Sequence, residues 1–173
     1  MEIRKAKHND ITEALHLVQD AQAYFKAHHI NQWQDGYPNY DSLMNDIEKG
    51  KGYVLCDHDQ VIGYCYGAFE HEPNYDSIEN GQWLTHNQPY YVVHRVVVSN
   101  EYKGKGLAGI FIDHFIDVCH HEHIHSIRMD THDDNKSMQR FLSKHGFKPC
   151  GRIYLDNGDP RIGYELVLED EEK

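Results

Sequence analysis

The segment YYVVHRVVVSNEYKGKGLAGIFIDHF, from Tyr90 to Phe115, has the most informative pattern of the chain. Its first part is a valine-rich apolar run, which predicts a strand from about Tyr90 to Val98. The lysine-glycine loop that follows leads into apolar residues at helical spacing, which predict a helix from about Leu107 to His120. The segment is therefore a strand, a loop and a helix in direct succession.

Further strands and helices are predicted on both sides of this segment. Before it, EIRKA is typical of a first strand, two helices follow, and a hairpin turns at Asp57 to Asp59. After it, HSIRMDTH is a predicted strand, Asn135 and Gly146 bound a helix, and the chain ends in a hairpin around an Asn-Gly turn. The order β α α β β β α β α β β indicates an α+β domain with a mixed, mainly antiparallel sheet flanked by helices.

Capping residues predict where the first two helices begin. Asp10 and Glu13 form a D-x-x-E pattern, which is typical of a capping box at the start of the first helix. Asp41 is the predicted cap of the second helix, and Gly50 is its predicted end. The spacing of apolar residues predicts that the first helix packs inward through Ile11, Ala14, Leu15, Val18 and Phe25.

Composition limits the classes of protein to which the chain can belong. With 173 residues, of which 39% are hydrophobic, the sequence fits a single domain over 1–173. The net charge of -11 and the acidic tail from Glu169 disfavour nucleic acid as a partner, because its phosphates would be repelled. The sequence has neither a signal-peptide core nor a membrane-length apolar run, and its four cysteines are scattered, so we expect a cytoplasmic protein with reduced thiols and no membrane partner.

The loop GKGLAG, from Gly104 to Gly109, matches the spacing G-x-G-x-x-G, which several kinds of loop share. A dinucleotide-binding unit is disfavoured, because five residues separate Val98 from Gly104 and the preceding strands look like hairpins. A P-loop is excluded, because Leu107 and Ala108 stand where the motif requires Lys and Ser or Thr. A plain glycine-rich turn stays open, although it does not explain the flanking lysines.

The remaining interpretation is an anion site at the start of a helix. The first turn of a helix has unpaired N–H groups and about half a positive charge, and glycines let a diphosphate approach the backbone. Lys103 and Lys105 would add positive charge at this point of an acidic protein. The loop therefore predicts a pyrophosphate site.

Two segments carry a resemblance to a known family. SNEYKGKGLAGIFID resembles the coenzyme A loop of the GNAT superfamily of N-acetyltransferases, whose motif is Q/R-x-x-G-x-G/A at a strand-to-helix junction. Gly104 and Gly106 match its glycines, whereas Glu101 stands at the Q/R position. DDNKSMQRFLSKHGF resembles the later helix N-x-x-(A/M)-x-x-(F/L)-Y-x-x-x-G-F and matches it at Asn135, Met138, Phe141, Gly146 and Phe147.

The resemblance implies a GNAT-like α+β fold over essentially the whole chain, acetyl-coenzyme A as the cosubstrate, and no metal. The acceptor that it implies is the primary amine of a small molecule or of an amino terminus. It further implies that the pantetheine arm bonds to strand backbone and that the pyrophosphate rests on loop amides. The implied cofactor-binding residues are Val96, Val97, Val98, Lys103, Gly104, Lys105, Gly106, Leu107, Ala108, Asn135 and Phe141.

The resemblance also points to a catalytic base. His94 stands where the family often has a glutamate or histidine that removes the proton of the amine, and the ordinary imidazole pKa of about 6.5 suits that task. A histidine that simply packs in a valine-rich strand stays open as the alternative. Leu142 stands where the family has a tyrosine as general acid, so that role is unassigned, with Tyr154 and Tyr164 as weak candidates.

Three aromatic residues are predicted to shape the acceptor pocket, because they lie in the two irregular loops that flank the cleft in this family: Trp33, Tyr37 and Trp83. Aromatic residues packed beneath the loops are the alternative. Arg95 and Arg161 are interpreted as structural ion-pair partners rather than as binders of a substrate carboxylate.

Two rival functions remain. The tract CHHEHIH, from Cys119 to His125, keeps a metal-binding protein open, although its ligands would point in several directions. Leu142 keeps open a coenzyme A-binding module without catalysis. The resemblance also leaves open a homodimer formed through the terminal hairpin.

Overall fold

The computed structural model describes residues 1–169, so residues 170–173 of the predicted acidic tail lie outside the described residues. Within this range the chain forms seven strands and four α-helices. The strands are β1 Glu2–Lys5, β2 Gly52–Asp57, β3 Gln60–Phe69, β4 Tyr91–Val98, β5 Ser126–Thr131, β6 Lys148–Tyr154 and β7 Pro160–Val167. The helices are α1 Ile11–Ala27, α2 Tyr40–Glu48, α3 Ala108–Glu122 and α4 Lys136–Lys144.

The strands follow the hydrogen-bonded order β1-β2-β3-β4-β5-β7-β6. The pairing of β4 with β5 is parallel, whereas β1 with β2, β2 with β3, β5 with β7 and β6 with β7 are antiparallel. The predicted α+β class with a mixed, mainly antiparallel sheet is therefore confirmed. None of the helices in the described range is long and apolar enough to cross a membrane.

The chain divides into two compact units. The first unit comprises residues 1–67 and 94–114, and the second comprises residues 68–93 and the described residues from Phe115 onward. In the first unit, apolar side chains of α1, α2 and the strands form one buried cluster that includes Val18, Leu43 and Val54. Burying a side chain of this size contributes about 1.5–3 kcal/mol.

In the second unit, a buried polar network attaches the long loop before β4 to the strands. Glu165 of β7 is 0% exposed, and its carboxylate accepts hydrogen bonds from the Leu84 amide at 2.6 Å, the Ser126 hydroxyl at 2.6 Å and the Arg128 Nε at 3.1 Å. The three donors come from the loop and from β5. The network therefore fixes a loop that has little regular structure of its own.

The predicted capping box of α1 is wrong. The Asp10 carboxylate does not cap the helix; it accepts the Lys7 N–H at 2.7 Å and pairs with both terminal nitrogens of Arg4 at 2.7 and 3.0 Å. Glu13 accepts the Val61 N–H at 3.0 Å instead of reaching back to the start of the helix. Both carboxylates have their partners outside the helix, and the D-x-x-E pattern does not reveal these partners.

The cap of α2 is Asn39 and not Asp41. Its side chain accepts the Ser42 N–H at 3.0 Å, and the Ser42 hydroxyl accepts the Asn39 N–H at 2.8 Å, which is a reciprocal capping box. The prediction for α4 is confirmed, because the Asn135 side chain accepts the Met138 N–H at 3.1 Å. Gly146 follows that helix with φ 87°, the left-handed conformation of a helix end.

Candidate active site

Strand β4 departs from regular strand geometry at Arg95, the residue that follows His94. Its parallel register with β5 comprises Tyr91 and Val92 only. Beyond this register, Arg95 has φ 57°, a left-handed conformation that costs a residue with a Cβ about 1–2 kcal/mol. Consecutive side chains of a regular strand point to opposite faces. Here the His94 ring lies 5.5 Å from the Tyr66 ring, and the Arg95 guanidinium carbon lies 4.7 Å from the same ring.

A buried carboxylate from α2 holds the Arg95 side chain. The Asp46 carboxylate is 2% exposed and accepts Arg95 Nε at 3.0 Å and Nη2 at 2.6 Å. The Tyr64 hydroxyl donates to the same carboxylate at 2.7 Å. Breaking a buried pair of this kind costs about 3–5 kcal/mol, which exceeds the cost of the left-handed backbone. The interpretation of Arg95 as a structural ion-pair partner is therefore confirmed.

The remaining terminal nitrogen of Arg95, Nη1, contacts the loop between α1 and α2. Nη1 donates a hydrogen bond to the Tyr37 hydroxyl oxygen, and the guanidinium carbon lies 5.8 Å from the centre of the Tyr37 ring. Burial alone would lower the pKa of Arg95, but Tyr37 and Asp46 outweigh burial and raise the pKa above its ordinary value. Arg95 is thus a fixed cation shared by a strand, a helix and a loop.

Sequence reasoning did not find Asp46, Tyr64 or Tyr66 in this network. One signal could have found Asp46, since it shares the buried face of α2 with Leu43 and Ile47. An acidic residue at helical spacing between two apolar ones predicts a buried cationic partner, because buried charges are paired. The identity of that partner is not readable from the sequence pattern.

The glycine loop exposes its backbone. Gly104 has φ 80° and Gly106 has φ 70°, conformations that glycine adopts without the penalty of a Cβ. A Cβ built on either glycine would meet no heavy atom within 4 Å. A ligand can therefore approach the main chain at both positions.

Helix α3 begins directly after this loop. The first amides that bond back are Gly109 N, to Gly106 O at 3.1 Å, and Ile110 N, to Leu107 O at 3.0 Å. Within residues 1–169, the amides of Leu107 and Ala108 donate to no other group of the chain. Such amides at the start of a helix are the donors that hold anions in many proteins.

Both lysines of the loop lie against aromatic rings. Lys103 Nζ is 3.4 Å from the centre of the Tyr24 ring, and Tyr24 in turn stacks on His28 with ring centres 3.9 Å apart. Burial lowers the pKa of Lys103. Lys105 Nζ lies 5.3 Å from the centre of the Tyr102 ring. Sequence reasoning found the lysines but not Tyr24 as the partner of Lys103, because Tyr24 lies on α1, far away in the chain.

The predicted acceptor residues fall in both units, and each has a different setting. In the first unit, Tyr37 is 44% exposed and contacts Arg95, whereas the Trp33 ring packs edge-on against Phe25 with centres 5.6 Å apart. In the second unit, Trp83 is 6% exposed and lies 4.3 Å from the Arg128 guanidinium carbon. Tyr37 is thus the predicted acceptor residue with the largest exposed surface.

The predicted residues of α4 belong to the second unit. Asn135 is buried as the helix cap, and the Phe141 ring lies 4.5 Å from the His145 ring. Leu142, which stands where the family has a tyrosine, is 0% exposed and is therefore a residue of the apolar core. Burial raises the pKa of Tyr164 above its ordinary value.

The histidine-rich tract does not form a metal centre in the described residues. Helix α3 ends at Glu122, inside the tract, and His123 then takes a left-handed conformation with φ 59°. Cys119 is buried, which raises its pKa to about 12. Across residues 1–169, no group of three or more His, Cys, Asp or Glu side chains is placed to hold a metal ion.

Comparison with known proteins gives one family. The model of the acetyltransferase (GNAT) family matches residues 9–147. A GNAT-family acetyltransferase from Streptococcus agalactiae is 34% identical, with 98% of this chain and 96% of that chain covered and a TM-score of 0.88. A candidate acetyltransferase from Staphylococcus aureus is 27% identical, with 98% and 100% covered and a TM-score of 0.75.

More distant structures share the fold. The NatC complex bound to Gag peptide and CoA contains a chain that is 15% identical, with 98% of this chain and 100% of that chain covered and a TM-score of 0.67. No functionally curated protein matches the sequence. The family model covers most of the chain, and the Streptococcus agalactiae enzyme is similar over nearly all of it. The chain therefore belongs to the GNAT family of N-acetyltransferases.

Proposed function

We propose that this protein transfers the acetyl group of acetyl-coenzyme A to the primary amine of a small molecule or of an amino terminus, in the cytoplasm. The observation that carries this proposal is the loop of residues 103–108, whose glycines expose backbone immediately before α3. Family membership supplies the class of reaction. The NatC complex, which contains a chain of similar fold, is bound to Gag peptide and CoA.

The residues present fit a diphosphate. The amides of Leu107 and Ala108 supply hydrogen-bond donors, and Gly104 and Gly106 leave the approach to them open. Lys103 adds a cation that the Tyr24 ring holds in place. The predicted contacts of Asn135 and Phe141 with the coenzyme rest on the family resemblance alone.

The pantetheine arm is assigned to the strand that precedes the loop. Val97 is buried in the apolar cluster of the first unit, whereas Val96 and Val98 are half-buried. The side chain of Val97 thus fixes the strand, and its neighbours lie closer to solvent. We assign the hydrogen bonds of the coenzyme to the backbone from Val96 to Val98.

His94 is the proposed base. Acetyl-coenzyme A supplies an activated acyl group, and the amine must lose a proton to attack it. The imidazole of His94 is half-buried beside Tyr66, and a neutral imidazole nitrogen can accept the proton of the amine. Leu142 cannot donate a proton, so we assign protonation of the leaving thiolate to solvent.

A coenzyme A titration combined with a thiol-release assay tests the proposal. The protein is first titrated with acetyl-coenzyme A by calorimetry, and release of free thiol is then measured with short peptides, small diamines and amino acid amides. We expect saturable binding and release that depends on one class of amine. Absence of binding would overturn the coenzyme site, and binding without amine-dependent release would favour a coenzyme-binding module over a transferase.

A further inference from the structure

The backbone conformation of Arg95 requires an external constraint. Its φ of 57° lies in the left-handed region, which glycine adopts freely and arginine does not. A residue in such a conformation persists only where its surroundings impose it. The contacts of the Arg95 side chain with Asp46 and Tyr37 can supply this constraint.

Asp46 is the contact that holds it. Both carboxylate oxygens of Asp46 accept from the guanidinium, at 3.0 and 2.6 Å, and the carboxylate is buried. A bidentate pair fixes the plane of the guanidinium as well as its distance. Because the side chain is anchored to α2, the backbone of Arg95 cannot relax to an ordinary strand conformation without breaking the pair.

The constraint on Arg95 acts on its neighbour His94. In a regular strand, the side chains of residues 94 and 95 would point to opposite faces. Both instead contact the ring of Tyr66, at 5.5 Å for the His94 ring and 4.7 Å for the guanidinium carbon. Relaxation of Arg95 to a regular strand would rotate one of the two side chains away from Tyr66.

The loop between α1 and α2, which carries Trp33 and Tyr37, contacts the same guanidinium. Arg95 Nη1 donates to the hydroxyl oxygen of Tyr37, which is the most exposed member of the network. Arg95 therefore connects α2, β4 and the loop between α1 and α2. The residue that contacts Tyr37 is thus the direct neighbour of His94 in β4.

We propose that Asp46 is a positioning residue for the transfer reaction, because its salt bridge with Arg95 holds β4 in the conformation that directs the His94 imidazole. Tyr37 links the loop between α1 and α2 to this salt bridge. The inference rests on the proposed function of His94 as the base. Asp46, Arg95 and Tyr37 support that base and transfer no proton themselves.

The first test compares two buried aspartates of the same unit. Asp46→Asn removes the charge that anchors Arg95, and Asp10→Asn is the matched control, since Asp10 makes an equivalent bidentate pair with Arg4 at 2.7 and 3.0 Å. We expect Asp46→Asn to lower kcat by about 10- to 100-fold, the scale of a small misplacement of a reacting group, with the KM for acetyl-coenzyme A changed less than about twofold. Asp10→Asn should leave both constants at their wild-type values.

A second readout does not depend on activity. The imidazole signals of His94 are assigned by NMR from their loss in His94→Gln, and their chemical shifts are compared in the free protein. Asp46→Asn should shift these signals, because the ring moves relative to Tyr66, and Asp10→Asn should not. If His94→Gln retains full activity, the proposed base is wrong, while the NMR comparison still decides whether Asp46 positions His94.

Arg95→Gly and Tyr37→Phe keep the inference testable if Asp46→Asn does not fold. When combined with Asp46→Asn, Arg95→Gly leaves no buried charge unpaired and tolerates the left-handed backbone, so this double variant should fold, lower kcat and broaden or shift the His94 signals. Tyr37→Phe removes one exposed hydroxyl and should chiefly raise the KM for the amine. Wild-type kcat and wild-type His94 signals in Asp46→Asn, or in the double variant Asp46→Asn/Arg95→Gly if the former is unfolded, would overturn the proposal.

Discussion

Replacing Gly106 by alanine tests the coenzyme loop against a matched position elsewhere in the chain. Gly106 has φ 70°, and Gly158, in the turn between β6 and β7, has φ 89°. A Cβ at either position would meet no heavy atom within 4 Å, so neither substitution creates a clash. Both variants should therefore lose about 1–2 kcal/mol of unfolding free energy, the cost of a left-handed alanine. Urea denaturation of both variants measures this loss.

Coenzyme affinity should separate the two variants. In the proposed site the diphosphate reaches the amides of Leu107 and Ala108 through the open space at Gly106, and a methyl group on that residue would occupy this space. A hydrogen bond to a charged group contributes about 1.5–3 kcal/mol, so loss of one raises the Kd by about 10- to 150-fold. Gly158→Ala should bind with the wild-type Kd.

Calorimetry with coenzyme A at one fixed salt concentration is the assay, because exposed charges such as Lys105 are screened within about 10 Å at ordinary ionic strength. A folded Gly106→Ala variant with the wild-type Kd would refute the assignment of the pyrophosphate to this loop. Equal losses of affinity in Gly106→Ala and Gly158→Ala would attribute the effect to global stability instead.

Three further predictions follow from single side chains. His94→Gln should lower the rate of acetyl transfer by about 100-fold without changing coenzyme affinity, and a variant with the wild-type rate would make His94 a strand histidine only. Leu142→Ala should lose about 2–5 kcal/mol in urea denaturation, because the side chain is 0% exposed, while the shape of the pH–rate profile stays the same. Arg4 holds the pKa of Asp10 below its ordinary value of 3.8, so the carboxylate stabilises the fold above pH 3.8 and loses this effect as pH falls through the lower, folded pKa. Asp10→Asn should therefore cost about 1.5–3 kcal/mol at neutral pH, and urea denaturation across the acid range should show the difference from wild type shrinking toward zero.

Local patterns in the sequence predict the elements around the site well. The predicted strand from Tyr90 to Val98 is β4 from Tyr91, and the predicted helix from Leu107 is α3 from Ala108. Apolar periodicity and glycine placement are properties of neighbouring residues, so they are readable directly. The loop between the two elements is readable for the same reason.

Pairings between distant residues are not readable in this way. Asp46 and Arg95 are 49 residues apart, and nothing in the spacing of either segment indicates that they meet. The wrong capping box of α1 has the same origin: Asp10 precedes the helix as predicted, but its carboxylate pairs with Arg4 of β1 and not with the helix that follows. The left-handed conformation of Arg95 is the least predictable feature, because it opposes the preference of the residue.

The family resemblance and the structure contribute different parts of the candidate site. The resemblance selects His94 and the glycine loop, and these assignments stay predictions until the variants are measured. The structure adds the supports of those residues, namely Asp46 for Arg95 and Tyr24 for Lys103. The acceptor amine follows from neither source, because the predicted pocket residues Trp33 and Trp83 are packed against other side chains.

The ratio of the two products tests directly whether the protein transfers the acetyl group of acetyl-coenzyme A to an amine. The protein is incubated with acetyl-coenzyme A labelled with ¹³C in the acetyl group and with the amine that gives the fastest thiol release, and both products are quantified by mass spectrometry. We expect labelled N-acetylated amine and free coenzyme A in equal amounts, with little product in the His94→Gln variant. Labelled acetate in place of the amide, or coenzyme binding with no labelled amide for any amine of the panel, would contradict it.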